Sequence, residues 1–451
     1  MTAQSSSPTV PEPTAVITNA GSTQQQSTQQ EDTDAVQQEM DILAYGLDSE
    51  ITELISKYIA EKDFHFADEV QQVFETTKTN TVKQKCIEYF AAAEDPRLKE
   101  YALAVAQDPY DESKELVASV FQYIGKLAFT EAAPYARKII DDENKDYFDA
   151  ALSALGSIGS AEDALFLADF LDRPDMSTAR RQALMRVLGQ LHAVETSGKL
   201  LSIAQDENEN TFVRMYAVEA LGEMQDADAL AAYADLYNAS DPNLRASVIK
   251  ALSHYDGNAE AQSIIEQALR DNHYKVRLEA VAAIKQQNLV SAGDALVYRA
   301  KNDPESVVKY ACYDAIAYLN FSSGNDFLIS IVKDSRKGDT AQSKAAAALL
   351  QYGNAGTQEI IALANDTLAD DKKKNLRYAL GKEFAKYSNP AFSAVCQEYL
   401  KSTDVSTQGI GLDIYARNRF PELTALVEEI AGNDKAGPNK VKANRILHIP
   451  S

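Results

Sequence analysis

The chain has 451 residues, a hydrophobic content of 45% and a formal net charge of −23. That length suits several globular domains or one long solenoid, and the apolar share is enough for a large core. The acidity argues against a general binder of nucleic acid or anionic membranes, because phosphates would be repelled over most of the surface.

Ala and Leu dominate, Gly (19) and Pro (13) are sparse, and Trp is absent, which favours helices over sheets. No apolar run approaches the length of a membrane-spanning helix, so no integral membrane segment is expected. Cys86, Cys312 and Cys396 are odd in number and far apart, without a C-x-x-C, which excludes a disulfide framework and a cysteine zinc site. The charge is uneven. From Asp371 to Ser451, 13 Lys+Arg stand against 9 Asp+Glu, so the preceding 370 residues carry −27. A basic C-terminal end on an acidic body could dock an acidic partner or another copy head to tail, although chance variation on a solvated face gives the same count.

Residues 1–33 are rich in Ser, Thr, Gln and Pro, and almost none of them falls in an apolar stripe. Such a segment cannot bury enough area to offset its ordering entropy and is expected to be a disordered tail. The chain opens without a charged n-region and apolar h-region, so as written it reads as cytoplasmic. Met1–Gln30 also resembles the linker that follows a removed signal, in which case the protein would be periplasmic or exported.

A helical pattern begins near Asp34 and runs to the end, defining a second region over residues 34–451. Ile51, Ile55, Tyr58 and Ile59 fall at 0, +4, +7 and +8, one stripe of an α-helix. The template returns at Val82, Cys86, Tyr89, Phe90 and at Val213, Ala217, Ala220, Leu221. It recurs at Val276, Ala280, Ala283, Ile284 and still fits Gln342, Ala346, Leu349, Leu350. The +8 residues from Ile59 to Leu350 lie 31 to 34 apart. A near-fixed period in this range marks a solenoid. A shorter helix precedes each striped one, as at 199–205, 261–270 and 293–301. Asp108-Pro109, Asp241-Pro242 and Asp303-Pro304 sit between the two, with Asp as a cap and Pro expected in the first turn of the following helix. The unit is helix A, Asp-rich turn, helix B. Past Leu350 the template loosens, as an array end with a more polar face would.

Arg181, Arg277, Lys309 and Arg377 follow the first stripe residue of their B helices. Asp175, Asp271, Asp303 and Asp371 lie six residues before each. Asp206 with Arg214 and Asp241 with Arg245 depart from this spacing by about two residues. Here the sequence resembles the HEAT-repeat family, close to the short bacterial type first noted in phycobilisome-lyase subunits. The resemblance implies an armadillo-type fold: all-α, a right-handed α-α superhelix of about thirteen helix pairs. It also implies a ladder of polar contacts between neighbouring repeats, built on those Asp and basic residues.

Motifs for chemistry are missing. His65, His192, His254, His273 and His448 show no metal-binding helical spacing, and the repeated His-Glu pairs of HEAT-type iron hydroxylases do not occur. There is no phosphate-loop or nucleophile-elbow motif. Gly156, Gly189 and Gly222 recur just after the +8 residue and read as packing glycines. No catalytic residue, metal or cofactor is therefore expected, and the chain reads as non-enzymatic.

The outward face of the B helices remains, at +2, +6 and +9, which lines the concave side in HEAT arrays. From the sixth repeat on, the +2 row turns largely apolar and aromatic. Met215, Leu278, Tyr310 and Tyr378, with Lys382 at +6, are the candidate partner-binding residues. The expected function is a protein-interaction scaffold or adaptor. The alternatives are a HEAT-type lyase or chaperone subunit acting on a chromophore-bearing protein, and a mechanical spacer.

Overall fold

The computed structural model describes residues 36–173, 176–353 and 355–448. The tail expected at 1–33 lies outside them. Among the described residues the regular structure is helical and contains no strand. The chain forms two compact units, one up to Asp163 and one from Ala164.

In the first unit, four helices form one row: Asp48–Glu61, Asn80–Ala93, Lys114–Lys126 and Phe148–Ile158. Each packs on the next in the row. The second unit continues the same unit type in Thr178–Gln190, Thr211–Met224, Pro242–Leu252, Tyr274–Gln286 and Ser306–Leu319. Asp339–Gln351, Lys374–Phe384, Val405–Asn418 and Pro438–His448 complete it, again with each in contact with its successor. These are the B helices of the first to thirteenth pairs. The stripes are what the rows bury: Val82, Cys86, Tyr89 and Phe90 are fully enclosed, and so are Val276, Ala280, Ala283 and Ile284. One pair cannot bury its stripe alone, so each repeat draws its stability from its neighbours. The three cysteines sit in this core, and burial pushes their thiols up to about 12.

Turn chemistry follows the sequence in part. Asp241 accepts the N–H of Asn243 at 2.7 Å, with Pro242 in the first turn. Asp226 accepts the N–H of Ala229 at 2.9 Å. Pro109 and Pro304 do not occupy first turns. The helices after them begin at Lys114, capped by Ser113, and at Ser306. Asp303 accepts the N–H of Glu305 at 3.0 Å just before that helix. Replacing Asp226 by Ala should cost about 1 kcal/mol in urea unfolding, with Asn at the same position recovering most of it.

B helices in both units end on a non-glycine residue in the left-handed region: Lys62, Glu94, Gln225, Asn320 and Arg419, with φ between 50° and 56°. Each closes a C-terminal cap, as where the N–H of Asp63 reaches the carbonyl of Tyr58.

Candidate functional site: the open face of the B helices

The stripe is buried. Position +9, expected to point outward, meets the next repeat at Gly222 and stays half-exposed at the rim of the open face at Lys285, so +2, +6 and +10 are the open positions. Met215, Leu278, Tyr310 and Tyr378 are all half-buried on this face, and Lys382 is exposed. Leu278 and Tyr310 come from adjacent helices. Met215 and Tyr378 are each one helix further away, with Ala246 and Lys344 between. The Tyr310 ring packs edge-on against Tyr313 at 5.6 Å. The Tyr378 hydroxyl donates to Asp404 at 2.8 Å. Burial works against ionisation of Asp404, but hydrogen bonds from Thr407 and Tyr378 and the charge of Lys374 bring it down to about 2.

Two features of this face carry no signal in the +2 row. Lys285 donates to Asp314 at 2.6 Å and to the Tyr352 hydroxyl at 2.9 Å, and Tyr352 donates to Asp314 at 3.0 Å. The Tyr318 and Tyr352 rings meet edge-on at 5.5 Å, with the ammonium of Lys285 over both. Extending the helical register to +10 would have found Tyr318 and Tyr352. In the first unit, the same face forms a groove of about 1120 Å³ floored by small residues such as Ala92, Ala118 and Ser153. Lys126, Lys145 and Asp149 stand at its edge.

The polar ladder runs between successive repeats. Arg277 donates from Nε and Nη2 to Asp303, at 2.7 and 2.8 Å, and from Nη1 to the carbonyls of Asp271 and Asn272. Arg245 grips Asp271 with two bonds of 2.9 Å. The Asp six residues upstream thus offers its backbone to its own arginine and its carboxylate to the previous one. This is why Arg245 forms a rung despite its irregular spacing. Burial would raise both Asp271 and Asp303, but the guanidinium and backbone hydrogen bonds more than offset it, and both are held below the usual range.

Other positions in the series differ. Asp175 lies outside the described residues, and Arg181 pairs with Glu209 at 2.6 Å. Arg214 donates to the Ala204 carbonyl. Lys309 is half-buried without an ion pair among the described residues. Arg377 is buried, and its contact with the exposed Asp371 is 3.6 Å. The carboxylate that would take it, Asp404, is occupied by Tyr378 and Thr407. Among the described residues, no three His, Cys, Asp or Glu side chains converge as a metal site requires, and no helix is long and apolar enough to cross a membrane.

Stacked helix pairs joined by an Arg–Asp ladder define a HEAT-type repeat array. The family described as spirochaete HEAT repeat protein matches residues 43–446, and the chain belongs to it. A 122-residue stretch is 33% identical to deoxyhypusine hydroxylase of Candida albicans, covering 27% of this chain and 38% of that protein. Similar solved structures include the karyopherin Kap121p bound to the extreme C-terminus of the protein phosphatase Cdc14p. That match has a TM-score of 0.44 and 12% identity, over 90% of this chain and 53% of the other. Kap121p bound to Nup53p gives 0.43 and 12%, over 90% and 52%. The chain thus spans about half the length of the karyopherin and well under half of the hydroxylase.

Proposed function

We propose that the protein is a non-enzymatic interaction scaffold that holds a segment of a protein partner on the open face of its B helices. Met215, Leu278, Tyr310, Tyr378 and Lys382 are its contact residues in the second unit. The observation that carries this reading is the face itself. It runs along successive helices, and its side chains at +2 and +10 are Leu278, Tyr310, Tyr318 and Tyr352, none fully buried. Half-exposed aromatic side chains supply contact area at low entropic cost and are common interface anchors. The ladder residues Arg245, Asp271, Arg277 and Asp303 serve to fix the spacing of the helices that present them.

A photo-crosslinking residue placed at Leu278 or Tyr310 should crosslink a cellular partner. The same residue at Val290 or Tyr298, exposed on the A-helix side, should not. Replacing Tyr310 and Tyr378 by Ser should reduce crosslinking at Leu278 at least tenfold with the helical circular dichroism unchanged. Tyr378→Phe separates the ring from its bond to Asp404. Equal crosslinking from both sides, or from neither, would overturn the proposal.

A further inference from the structure

Resting on that reading, we infer that the open face of the last four B helices is built for an acidic, partly apolar segment of the partner. Its cations differ from those of the earlier helices in whether they are paired. In the helices from Thr211–Met224 to Ser306–Leu319, lysines on the open face are already neutralised. Lys250 pairs with Glu219 at 2.6 Å and Lys285 with Asp314 at 2.6 Å, while Glu223 at +10 adds further acid. From Asp339–Gln351 onward the balance reverses. Lys344 at +2 and Lys382 at +6, with Arg417 at +10 counted from the buried Thr407 and Arg445 at +6 counted from the buried Asn439, are exposed on this face and make no ion pair among the described residues. The carboxylates between them are spent: Glu383 on Lys386 and Asp413 on Lys442, each at 2.7 Å.

Apolar surface lies among these cations. Tyr378 lies one turn before Lys382 on the same helix, and Val441, 72% exposed, sits one turn from Arg445. Four neighbouring helices spaced by about 8–10 Å present a track about 30 Å long, which an extended chain of about nine residues covers. The chain's −23 charge makes a nucleic acid a poor occupant. A short acidic segment engages only the local strip, and the acidic face of the earlier repeats fixes which way it lies.

The test uses the full chain and a fluorescein-labelled ten-residue peptide alternating Glu with Leu and Tyr. Controls are the same peptide with Lys for Glu and a ten-nucleotide oligothymidylate. The acidic peptide should bind at least tenfold tighter than either control. Binding should weaken at least tenfold between 50 and 500 mM NaCl, as estimated for a strip of exposed charges. Lys344→Glu, Lys382→Glu and Arg445→Glu combined should remove it without altering the circular dichroism. No binding of the acidic peptide at 1 mM, an unaffected triple variant, or a tighter oligonucleotide would each overturn the inference. Tighter binding of the Lys peptide, lost on Tyr310→Ser, would overturn the acidic class and leave the scaffold reading standing. Partner crosslinks confined to the A-helix side would remove both.

Discussion

Arg277→Ala should destabilise the second unit by about 3–5 kcal/mol, the usual consequence of removing one partner of a buried ion pair. Arg277 is 4% exposed and Asp303 1%. Four hydrogen bonds leave the guanidinium, two to the Asp303 carboxylate and two to the carbonyls of Asp271 and Asn272. Truncation leaves a charged, nearly inaccessible carboxylate whose remaining cation, Arg299, is 3.7 Å away. Asp303→Ala should cost a similar amount by stranding the guanidinium. Arg277→Met with Asp303→Leu should cost much less than either alone, since no charge is then buried unpaired.

The same pair sets a pH dependence. Asp303 is held below its ordinary value, so it contributes stability above the unfolded carboxyl value of about 3.9. That contribution is lost as pH falls through the folded value. Wild type and Arg277→Ala should differ fully near neutral pH and converge below about pH 4. Urea unfolding across pH reads both effects. A constant difference down to pH 3 would mean the carboxylate does not carry the rung. Because repeats couple to their neighbours, the variant should show an early transition instead of a uniform shift.

The ladder also shows where sequence stops being informative. The period and the stripe are legible because burial demands apolar residues at 0, +4, +7 and +8 whatever the loops do. The spacing of Asp271 and Arg277 is legible too, and the family resemblance reads it as a ladder between repeats, but the spacing does not say which carboxylate each arginine takes. The carboxylate bonds run 26 residues, from Arg245 to Asp271 and from Arg277 to Asp303. Only stacking brings those turns together. The left-handed caps are silent for a different reason. Lys62, Glu94 and Gln225 are not turn formers, and they adopt positive φ because the next helix pair fixes the exit direction at a cost of about 1–2 kcal/mol each. On the candidate site, Tyr310 and Tyr378 announce themselves by residue type. The groove of the first unit does not, because Ala92, Ala118 and Ser153 are concave by being small, and small residues look neutral in any hydrophobic pattern.

Small size acts in the opposite sense at Gly222, which the sequence marks as a packing residue. A Cβ there would lie 2.6 Å from both Cα and Cβ of Ala251 and 3.1 Å from its carbonyl oxygen. The obstacle is the backbone of helix Pro242–Leu252, so no rotamer change relieves it. Gly222→Ala gains about 1 kcal/mol of helix propensity and must separate two B helices, which costs about 1–3 kcal/mol. A net loss of up to about 2 kcal/mol is expected, and Gly222→Val should lose about 3 kcal/mol or more. Two other glycines calibrate this. At Gly189 the closest atom is the flexible end of Glu223, with the Cα of Ala220 at 3.1 Å, so Ala should be nearly neutral. At Gly198 a Cβ meets nothing within 4 Å, and Ala should stabilise by about 0.5–1 kcal/mol. One substitution type thus carries three outcomes ordered by the approach of the neighbouring helix. If Gly222→Ala melts at or above wild type while Gly198→Ala stabilises as expected, helices Thr211–Met224 and Pro242–Leu252 are not in close contact at Gly222. The spacing of the open face that Met215 and Leu278 share would then have to be set by side chains alone.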